Sequence, residues 1–483
     1  MPNQLSRIEH MVVLMLENRS FDHMLGQVPG VNGVTGTEEN FWTPDVPASG
    51  GVRVTFDAKP HKQLRSDPGH DLDHVRVQLY GSAGDSFPVP SSNSGFLAQY
   101  LERIGGDPTD PKRRSRAEEI MKCFSLDGVP VLTGLARAFA VCDAWYSSVP
   151  GPTWPNRFFV HAATSDGVTG NSFGQAGLRT IYHNLSDAGV SWGIYFHDFP
   201  QALGLKSLWD QRFLSHFHRI GRFWKLAKAG ELPAFSFVEP RYFTFLWKDA
   251  NDQHPPHDVD RGEGLVAALY QVLRQSPAWE RTLLLITHDE HGGIYDHAAV
   301  VSLPAPAPAP PGARFDFATS GVRVPAVVVS PWIAAGTVDH RPYDHSSIPA
   351  TLKERFGLPN FLTSRDAGAT TLGDLLSLGE PRQDAPVTIE ERVLPFAEAM
   401  VAADTTLPSP AFVRRAVEDR EISTEPLTDL QESLVELARE LDVAGEGPWL
   451  KSLVQARAVR TEHDGAEFVQ ERAQRFLSLP EDE

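Results

Sequence analysis

Short apolar segments alternate with helix-like segments along most of the chain. Residues 11–16 form a continuous apolar run with two valines, and residues 281–287 contain a second run. Runs of this kind are typical of strands that are buried on both faces. Three more strand patterns and two helix patterns continue the alternation: 190–196, 234–238, 322–330, 158–164 and 264–275. The alternation predicts an α/β fold with a mostly parallel central sheet and helices on both faces.

The last part of the chain has a purely helical pattern. Five leucines recur at helical spacing and a second apolar stripe follows them: Leu427, Leu430, Leu434, Leu437, Leu441, then Phe468, Val469, Ala473 and Phe476. The change predicts a main domain over residues 1–404 and a helical C-terminal extension over residues 405–483. A stripe of this spacing usually packs on the core of its own chain. The alternative is a leucine face for a partner chain, which would make the protein an oligomer through its C-terminal helices.

The composition is that of a packed, acidic protein. Hydrophobic residues make up 41% of the 483 residues, which excludes wholesale disorder. The formal net charge is −18, and without a basic run the chain is not expected to bind nucleic acid. A phosphate-bearing substrate would be repelled at long range. Local positive charge, from a metal or from Arg157, would therefore have to bind it.

Cysteines, membrane segments and targeting signals add little to this description. Cys123 and Cys142 are the two cysteines, and we expect free buried thiols rather than a bridge. No apolar run approaches the roughly 20 residues of a membrane helix, so contact with a membrane would be transient and at its surface. The first residues show no signal peptide. We therefore expect a cytoplasmic protein, a protein exported by another route, or a sequence numbered as a mature form.

Both buried strand patterns end in residues that can bind a cation. Glu17 and Asn18 follow the first run, and Asp289 and Glu290 follow the second. Because ligands collect at the carboxyl ends of parallel strands, these side chains should lie close together. Adjacent carboxylates are costly unless a cation neutralises them, and an oxygen-rich set without cysteine favours a hard or borderline divalent ion. The alternative is that Asn18 caps a turn and Glu17 is a solvated strand end.

Three motifs in this order resemble those of the bacterial phospholipase C and acid phosphatase family of phosphoesterases. They are Glu-Asn-Arg-Ser-Phe-Asp at 17–22, Pro-Gly-Pro-Thr-Trp-Pro-Asn-Arg at 150–157 and His-Asp-Glu-His-Gly-Gly at 288–293. Shorter segments around His70, His254 and His297 fit the same pattern. The resemblance extends from about residue 8 to residue 358 and implies an alkaline-phosphatase-like core. It also implies that Glu17, Asn18, Asp289 and Glu290 bind one or more divalent metal ions, with calcium, magnesium, manganese and zinc all open.

The resemblance makes Thr153 the candidate nucleophile. Metal coordination would lower the pKa of its hydroxyl, so Thr153 would also be a metal ligand. A phosphoryl group on it would lie near the amino end of a helix, which stabilises anions. Asn156 and Arg157 would bind the phosphate oxygens. The alternatives are that Thr153 is a helix N-cap, a role compatible with the first, and that Arg157 is paired with an acidic neighbour.

Histidines are the candidates for proton transfer near neutral pH. His254 matches the downstream histidine of the family and would protonate the leaving oxygen. His70 matches the upstream one and would bind phosphate or assist as an acid. Four further residues are expected to orient the metal ligands or to brace the site from behind them: His291, Asp296, His297 and His345.

These assignments predict a metal-dependent phosphoesterase. The Thr153 motif favours a phospholipase C, which cuts phospholipids on the glycerol side through a phosphothreonine intermediate. The alternatives are an acid phosphatase acting on monoesters, and an inactive relative that serves as a binding or effector module. The helical C-terminus departs from the β-rich domains that follow the core in the larger haemolytic phospholipases. We expect a phospholipid or a small phosphoester as substrate.

Overall fold

The computed structural model describes residues 4–57, 64, 67–173, 177–245, 248–308, 313–390, 394–405, 426–445 and 459–477. The strands are β1 His10–Leu16, β2 Glu39–Phe41, β3 Gly51–Arg53, β4 Thr55–Asp57, β5 Lys122–Phe124, β6 Ala140–Cys142, β7 Trp145–Tyr146, β8 Trp192–Phe196, β9 Phe217–Arg219, β10 Phe235–Glu239, β11 Thr282–His288, β12 Ala326–Val329, β13 Thr337–Asp339 and β14 Tyr343–Asp344. The α-helices are α1 Phe21–Leu25, α2 Leu72–Tyr80, α3 Phe96–Ile104, α4 Pro111–Ala117, α5 Pro130–Ala138, α6 Thr153–Ala162, α7 Ile181–Asp187, α8 Gln211–Leu214, α9 Ile220–Ala229, α10 Val259–Arg274, α11 Ser347–Phe356, α12 Ser364–Ala367, α13 Leu394–Thr405, α14 Asp429–Gly445 and α15 Glu462–Leu477.

The central sheet is mostly parallel, as the sequence predicts. Its eight strands lie in the order β13-β6-β12-β11-β1-β10-β8-β9. β1 lies between β10 and β11 and is parallel to both, whereas β12 is antiparallel to β11 and to β6. β1 and β11 are buried along nearly their whole length, which explains their continuous apolar sequences.

Helices cover both faces of this sheet. Phe235 and Phe237 of β10 lie on one face, because alternate strand residues share a face. Their rings contact Tyr182 of α7 and His161 of α6 respectively. Tyr195 of β8 is paired in register with Val238, one residue further along β10, and so lies on the other face. Its ring contacts Phe223 of α9. The predicted α/β fold is therefore confirmed.

Two predicted elements differ from the observed ones at proline residues. α6 begins at Thr153 rather than at 158, because Pro155 lies in the first turn, where a helix tolerates proline. β12 covers only Ala326–Val329 of the predicted 322–330. It lies between Pro325 and Pro331, which lack the backbone N–H that a central strand donates.

The C-terminal helices pack on the main hydrophobic core. Most positions of the two predicted apolar stripes are buried there: Leu430, Leu434, Leu437, Leu441, Phe468, Val469 and Ala473. The core-packing explanation of the stripes is thus the one observed, and an oligomer through these helices stays a prediction. The predicted division after residue 404 falls one residue before the end of α13, and residues 406–425 lie outside the described part of the chain.

The cysteines agree with the sequence-based expectation. Both are free and buried, Cys123 in β5 and Cys142 in β6. Burial raises the pKa of both thiols well above the ordinary value, which keeps them protonated. Within the described residues, no helix has the length and apolar character needed to cross a membrane.

Candidate active site

Glu17, Asn18 and Asp289 meet at the carboxyl edge of the sheet. Leu16 of β1 lies opposite His288 of β11, so the residues that follow the two strands enter the same edge. The Asp289 N–H donates to the Leu16 carbonyl at 3.1 Å, and the Asn18 N–H donates to Oδ1 of Asp289 at 3.0 Å. Asn18 has a φ of 52°, a left-handed conformation that asparagine tolerates better than most residues. The fold therefore places the Glu17–Asn18 segment next to Asp289.

Several oxygen atoms at this edge are buried without a hydrogen-bond partner. Three predicted metal ligands carry them: Oδ1 of Asn18, Oδ2 of Asp289 and Oε1 of Glu290. Leaving such atoms unsatisfied is costly, and burial raises the pKa of Glu17 and of Glu290 well above their ordinary values. A divalent cation would satisfy these oxygens. The residues present therefore fit a metal site.

Arg157 supplies the positive charge next to Glu17 in this structure. Its Nη2 donates to Oε1 of Glu17 and, at 3.2 Å, to the Met15 carbonyl. Its Nε lies 4.0 Å from Oδ2 of Asp289. Burial lowers the pKa of Arg157, but the combined attraction of Glu17, Asp289 and other acidic groups outweighs burial and raises it. The pairing with an acidic neighbour is thus present, and phosphate binding by Arg157 stays a prediction.

Among the described residues, two groups of His, Asp or Glu side chains have ligand atoms within 4.8 Å of one another, and neither contains Glu17, Asp289 or Glu290. One consists of Asp67, His70, His254 and Asp429, and the other of Asp22, Asp296 and His297. The protein therefore contains residue groups that could hold a metal, and neither of these two coincides with the predicted ligand set. The second is already neutralised, since Arg323 donates to Asp22 and to Asp296 at 2.9 Å each.

Thr153 contacts the predicted metal ligands through its hydroxyl. The hydroxyl donates to Oε2 of Glu17 at 3.2 Å. Thr153 is the first residue of α6, and Pro152 occupies the N-cap, so the alternative role of Thr153 as the N-cap is not the one observed. A nucleophile at this position would carry its phosphoryl group at the amino end of α6, where the helix dipole favours an anion. The geometry is consistent with the predicted role of Thr153.

Asn156 holds the turn in front of Thr153. Its Oδ1 accepts the Val149 N–H at 2.9 Å, and its Nδ2 donates to three carbonyls, those of Val149, Gly151 and Pro152, at 3.2, 2.9 and 3.0 Å. All its polar atoms are therefore used within the turn. Its predicted contact with phosphate remains a prediction and would require an exchange of these bonds.

His70 and His254 lie side by side, with their ring centroids 6.1 Å apart. His254 belongs to the loop between β10 and α10. The Asp252 carbonyl of that loop accepts the Glu17 N–H at 2.8 Å, which places the loop beside the carboxylates. Both rings face Asp429, the first residue of α14. The structure thus brings the two predicted proton donors together.

His291 and His345 contact the segment that carries Asp289 and Glu290, and their predicted role in orienting metal ligands stays a prediction. Nδ1 of His291 lies 3.2 Å from Oε2 of Glu290, and its Nε2 lies 2.8 Å from Oε1 of Gln78. Burial lowers the pKa of His291 to about 3, so the ring is neutral near pH 7. Nε2 of His345 lies 2.6 Å from the Asp289 carbonyl, and burial lowers the pKa of His345 also. The two histidines fix the Asp289–Glu290 segment.

Asp296 and His297 both contact Asp22 of α1. Oδ2 of Asp296 accepts the Asp22 N–H at 3.1 Å, and Nδ1 of His297 lies 2.6 Å from Oδ2 of Asp22. Asp22 is the second residue of α1, shortly after Glu17 and Asn18. These contacts join the two motif segments through Asp22, and the bracing role of Asp296 and His297 stays a prediction.

Gly292 allows the two segments to approach closely. It has a φ of +63°, and a Cβ atom there would lie 2.5 Å from the Asn18 carbonyl oxygen. Any other residue would displace one of the segments.

Three residues of the site were missed by the sequence reasoning. Gln78 of α2 joins His291, as described above. Asn171 accepts the Trp154 N–H at 3.3 Å and donates to Oδ2 of Asp429 at 2.9 Å. Asp429 contacts both predicted proton donors. A single hydrophilic residue at the start of a predicted helix is an ordinary N-cap pattern, so no sequence signal distinguishes Asp429.

The chain thus has an α/β fold with buried carboxylates at the carboxyl edge of its central sheet. The model of the phosphoesterase family matches residues 8–359, and the chain belongs to this family. This match confirms the resemblance noted from the motifs.

Named relatives agree with the family assignment. Non-specific phospholipase C6 of Arabidopsis thaliana is 42% identical over 412 residues, which are 80% of this chain and 75% of the relative. Phospholipase C B of Mycobacterium tuberculosis is 28% identical over 436 residues, 78% of each chain. Among solved structures, a phosphonate monoester hydrolase of Agrobacterium radiobacter matches with a TM-score of 0.33 and 14% identity, covering 54% of this chain and 75% of that chain. This last likeness is too weak to add to the description.

Proposed function

We propose that the protein is a phospholipase C that hydrolyses the glycerol-side phosphodiester of phospholipids. The observation that carries the proposal is the hydrogen bond from the Thr153 hydroxyl, at the start of α6, to Glu17. Glu17 lies at the same edge of the sheet as the buried oxygens of Asn18 and Asp289 that lack a hydrogen-bond partner. Relatives at 38–42% identity that carry the name non-specific phospholipase C favour the diester over a monoester as substrate.

In the proposed reaction, the Thr153 hydroxyl gives its proton to Glu17 as its oxygen attacks phosphorus, and the bond from phosphorus to the glycerol oxygen breaks as that oxygen takes a proton from His254. Glu17, which already accepts the hydroxyl hydrogen bond, orients the attacking oxygen. The dipole at the amino end of α6 and the two guanidinium nitrogens of Arg157 without a hydrogen-bond partner, Nε and Nη1, stabilise the charge on the phosphoryl oxygens. Water then attacks the phosphothreonine phosphorus and gives a proton to His254, while Glu17 returns its proton to the departing Thr153 oxygen and the phosphorylated head group is released.

A divalent cation held by Glu17, Asn18, Asp289 and Glu290 would lower the pKa of the nucleophile and neutralise the transferred group. The donors are oxygen atoms, which favours a hard or borderline ion without selecting one.

His254 is proposed to protonate the leaving oxygen. Its ring is fully buried beside His70, and Oδ1 of Asp429 lies 3.5 Å from its Nε2. Burial lowers the pKa of His254, but Asp67 and Asp429 outweigh burial and raise it above the ordinary value. The raised pKa favours the protonated ring, the form that a general acid requires.

The proposal is tested by the rates on p-nitrophenyl phosphorylcholine and on p-nitrophenyl phosphate. Both release the same chromophore, so the ratio of rates reports the preference for diester over monoester. We expect turnover of both with the diester preferred. A preference for the monoester would assign a phosphatase, and the absence of turnover on either would indicate a binding module.

A further inference from the structure

A carboxylate from the C-terminal part of the chain lies among the groups assigned to proton transfer. Oδ2 of Asp429 lies 2.9 Å from Nε2 of His70 and accepts Nδ2 of Asn171 at 2.9 Å. Oδ1 accepts the N–H of Leu430 at 2.7 Å and lies 3.5 Å from Nε2 of His254. Both oxygens of Asp429 thus have defined neighbours, three of them outside its own helix.

The other ring nitrogens show where the histidine protons lie. Nδ1 of His70 lies 2.9 Å from the Pro68 carbonyl, and Nδ1 of His254 contacts the Pro255 carbonyl. A carbonyl oxygen only accepts, so each Nδ1 carries a proton. Nε2 of a neutral ring would then present a lone pair to Asp429. A contact of 2.9 Å with a carboxylate requires instead that Nε2 of His70 also carries a proton.

Asp429 is held firmly enough to position these rings. α14 packs on the main core through Leu430 and Leu434. Nε1 of Trp154, the residue after the nucleophile, donates to Oγ of Ser433 at 2.8 Å. Nε2 of Gln431 donates to the Tyr242 carbonyl at 2.7 Å. The start of α14 is therefore fixed against α6 and against the segment that follows β10.

We propose that Asp429 is a positioning residue. It binds the protonated Nε2 of His70 and orients the ring of His254, whose Nε2 lies 3.5 Å from Asp429 without a hydrogen-bond partner and is free to protonate the leaving oxygen. On this basis the helical C-terminal segment completes the active site instead of only packing behind it. The inference rests on the proposed function, because it acts through the acid role of His254. Asp429 itself touches no reacting atom.

The expected signature is a loss that depends on the leaving group. p-Nitrophenolate leaves with little help from an acid, whereas the alkoxide of diacylglycerol needs a proton. In the full chain, Asp429→Asn keeps the shape of the side chain and removes its charge. We expect it to lower turnover of a short-chain diacylglycerol phosphocholine on the order of 10- to 10²-fold. Turnover of p-nitrophenyl phosphorylcholine should fall by less than about 3-fold.

Two further variants make the result specific. His254→Ala should show the same selectivity with a larger loss on the lipid. Ser433→Ala removes the contact of α14 with Trp154 at a position away from the two imidazoles, and it should change both rates by the same factor. Thermal unfolding of each variant shows whether the protein remains folded.

The outcomes separate the inference from the proposed function. If His254→Ala is selective but Asp429→Asn lowers both rates equally, or leaves or increases lipid turnover, Asp429 is not a positioning residue and the acid assignment stands. If His254→Ala itself lowers both rates equally, the acid assignment fails and the inference fails with it. Selective loss in both variants, with equal effects in Ser433→Ala, supports the inference.

Discussion

Replacing Glu17 with glutamine should weaken both metal binding and folding. Oε1 of Glu17 accepts from Nη2 of Arg157, and Oε2 accepts the Thr153 hydroxyl at 3.2 Å. Both Glu17 and Arg157 are fully buried. Glutamine keeps one acceptor oxygen but replaces the other with an amide that only donates. The guanidinium of Arg157 then retains Asp289 as its nearest carboxylate, with Oδ2 of Asp289 4.0 Å from Nε.

The size of the effect follows from the burial of the pair. Removing one partner of a buried ion pair costs about 3–5 kcal/mol, because the remaining charge is left without compensation. Since glutamine keeps one acceptor for Thr153, we expect the lower end of this range, about 3 kcal/mol, in the free energy of unfolding of the metal-free protein. Metal binding should be lost, since the substitution removes a charged oxygen ligand.

Asp289→Asn is the matched control for this prediction. Oδ1 of Asp289 accepts two backbone N–H groups, those of Asn18 at 3.0 Å and Glu290 at 2.7 Å. The asparagine oxygen can keep both bonds. The variant should therefore lose metal and activity like Glu17→Gln but cost less than about 1.5 kcal/mol of stability.

Urea unfolding of chelator-treated protein and elemental analysis of untreated protein measure the two effects. Full metal occupancy in both variants would remove Glu17 and Asp289 from the ligand set. A Glu17→Gln protein as stable as the wild type would refute the energetic argument for the buried pair with Arg157.

Two further predictions concern the nucleophile and the docking of α15. Thr153→Ala should fold, keep most of its metal and lose turnover by about 10⁴-fold or more. Thr153→Ser should keep partial activity. Near wild-type turnover by Thr153→Ala would exclude a covalent mechanism through Thr153. Burial lowers the pKa of His257, but Asp252 and Glu462 outweigh burial and raise it from 6.5 to about 10. The stability that this histidine contributes is therefore fully present below pH 6.5 and is lost as the pH rises towards about 10. Between these pH limits, the free energy of unfolding measured in urea should fall on the order of 1–4 kcal/mol. The fall should be smaller in His257→Gln. An equal fall in the variant would contradict this role of His257.

The sequence predicted the parts of the site that follow directly from the sheet. Glu17 and Asp289 come immediately after apolar runs, and the parallel pairing of β1 with β11 makes their proximity unavoidable. His291 and His345 contact Glu290 and the Asp289 carbonyl at this edge. Local periodicity and strand order are sufficient for these features.

The rest depends on tertiary packing that local patterns do not contain. Asp429 reaches His70 across 359 positions of sequence, and only the docking of α14 on the core brings the two together. The pairing of Arg157 with Glu17 depends on how α6 lies against β1. The sequence pattern predicts that α6 begins at 158, whereas it begins at Thr153, because a helix tolerates proline in its first turn but not in its interior.

Trapping the covalent intermediate tests the central claim most directly. The wild-type enzyme is mixed with p-nitrophenyl phosphorylcholine, quenched in acid within one turnover and digested, and the peptides are analysed by mass spectrometry. We predict a phosphorylcholine adduct on Thr153 in the wild type and none on that peptide in Thr153→Ala. Turnover without any adduct on Thr153, or with an adduct on another residue, would contradict the account.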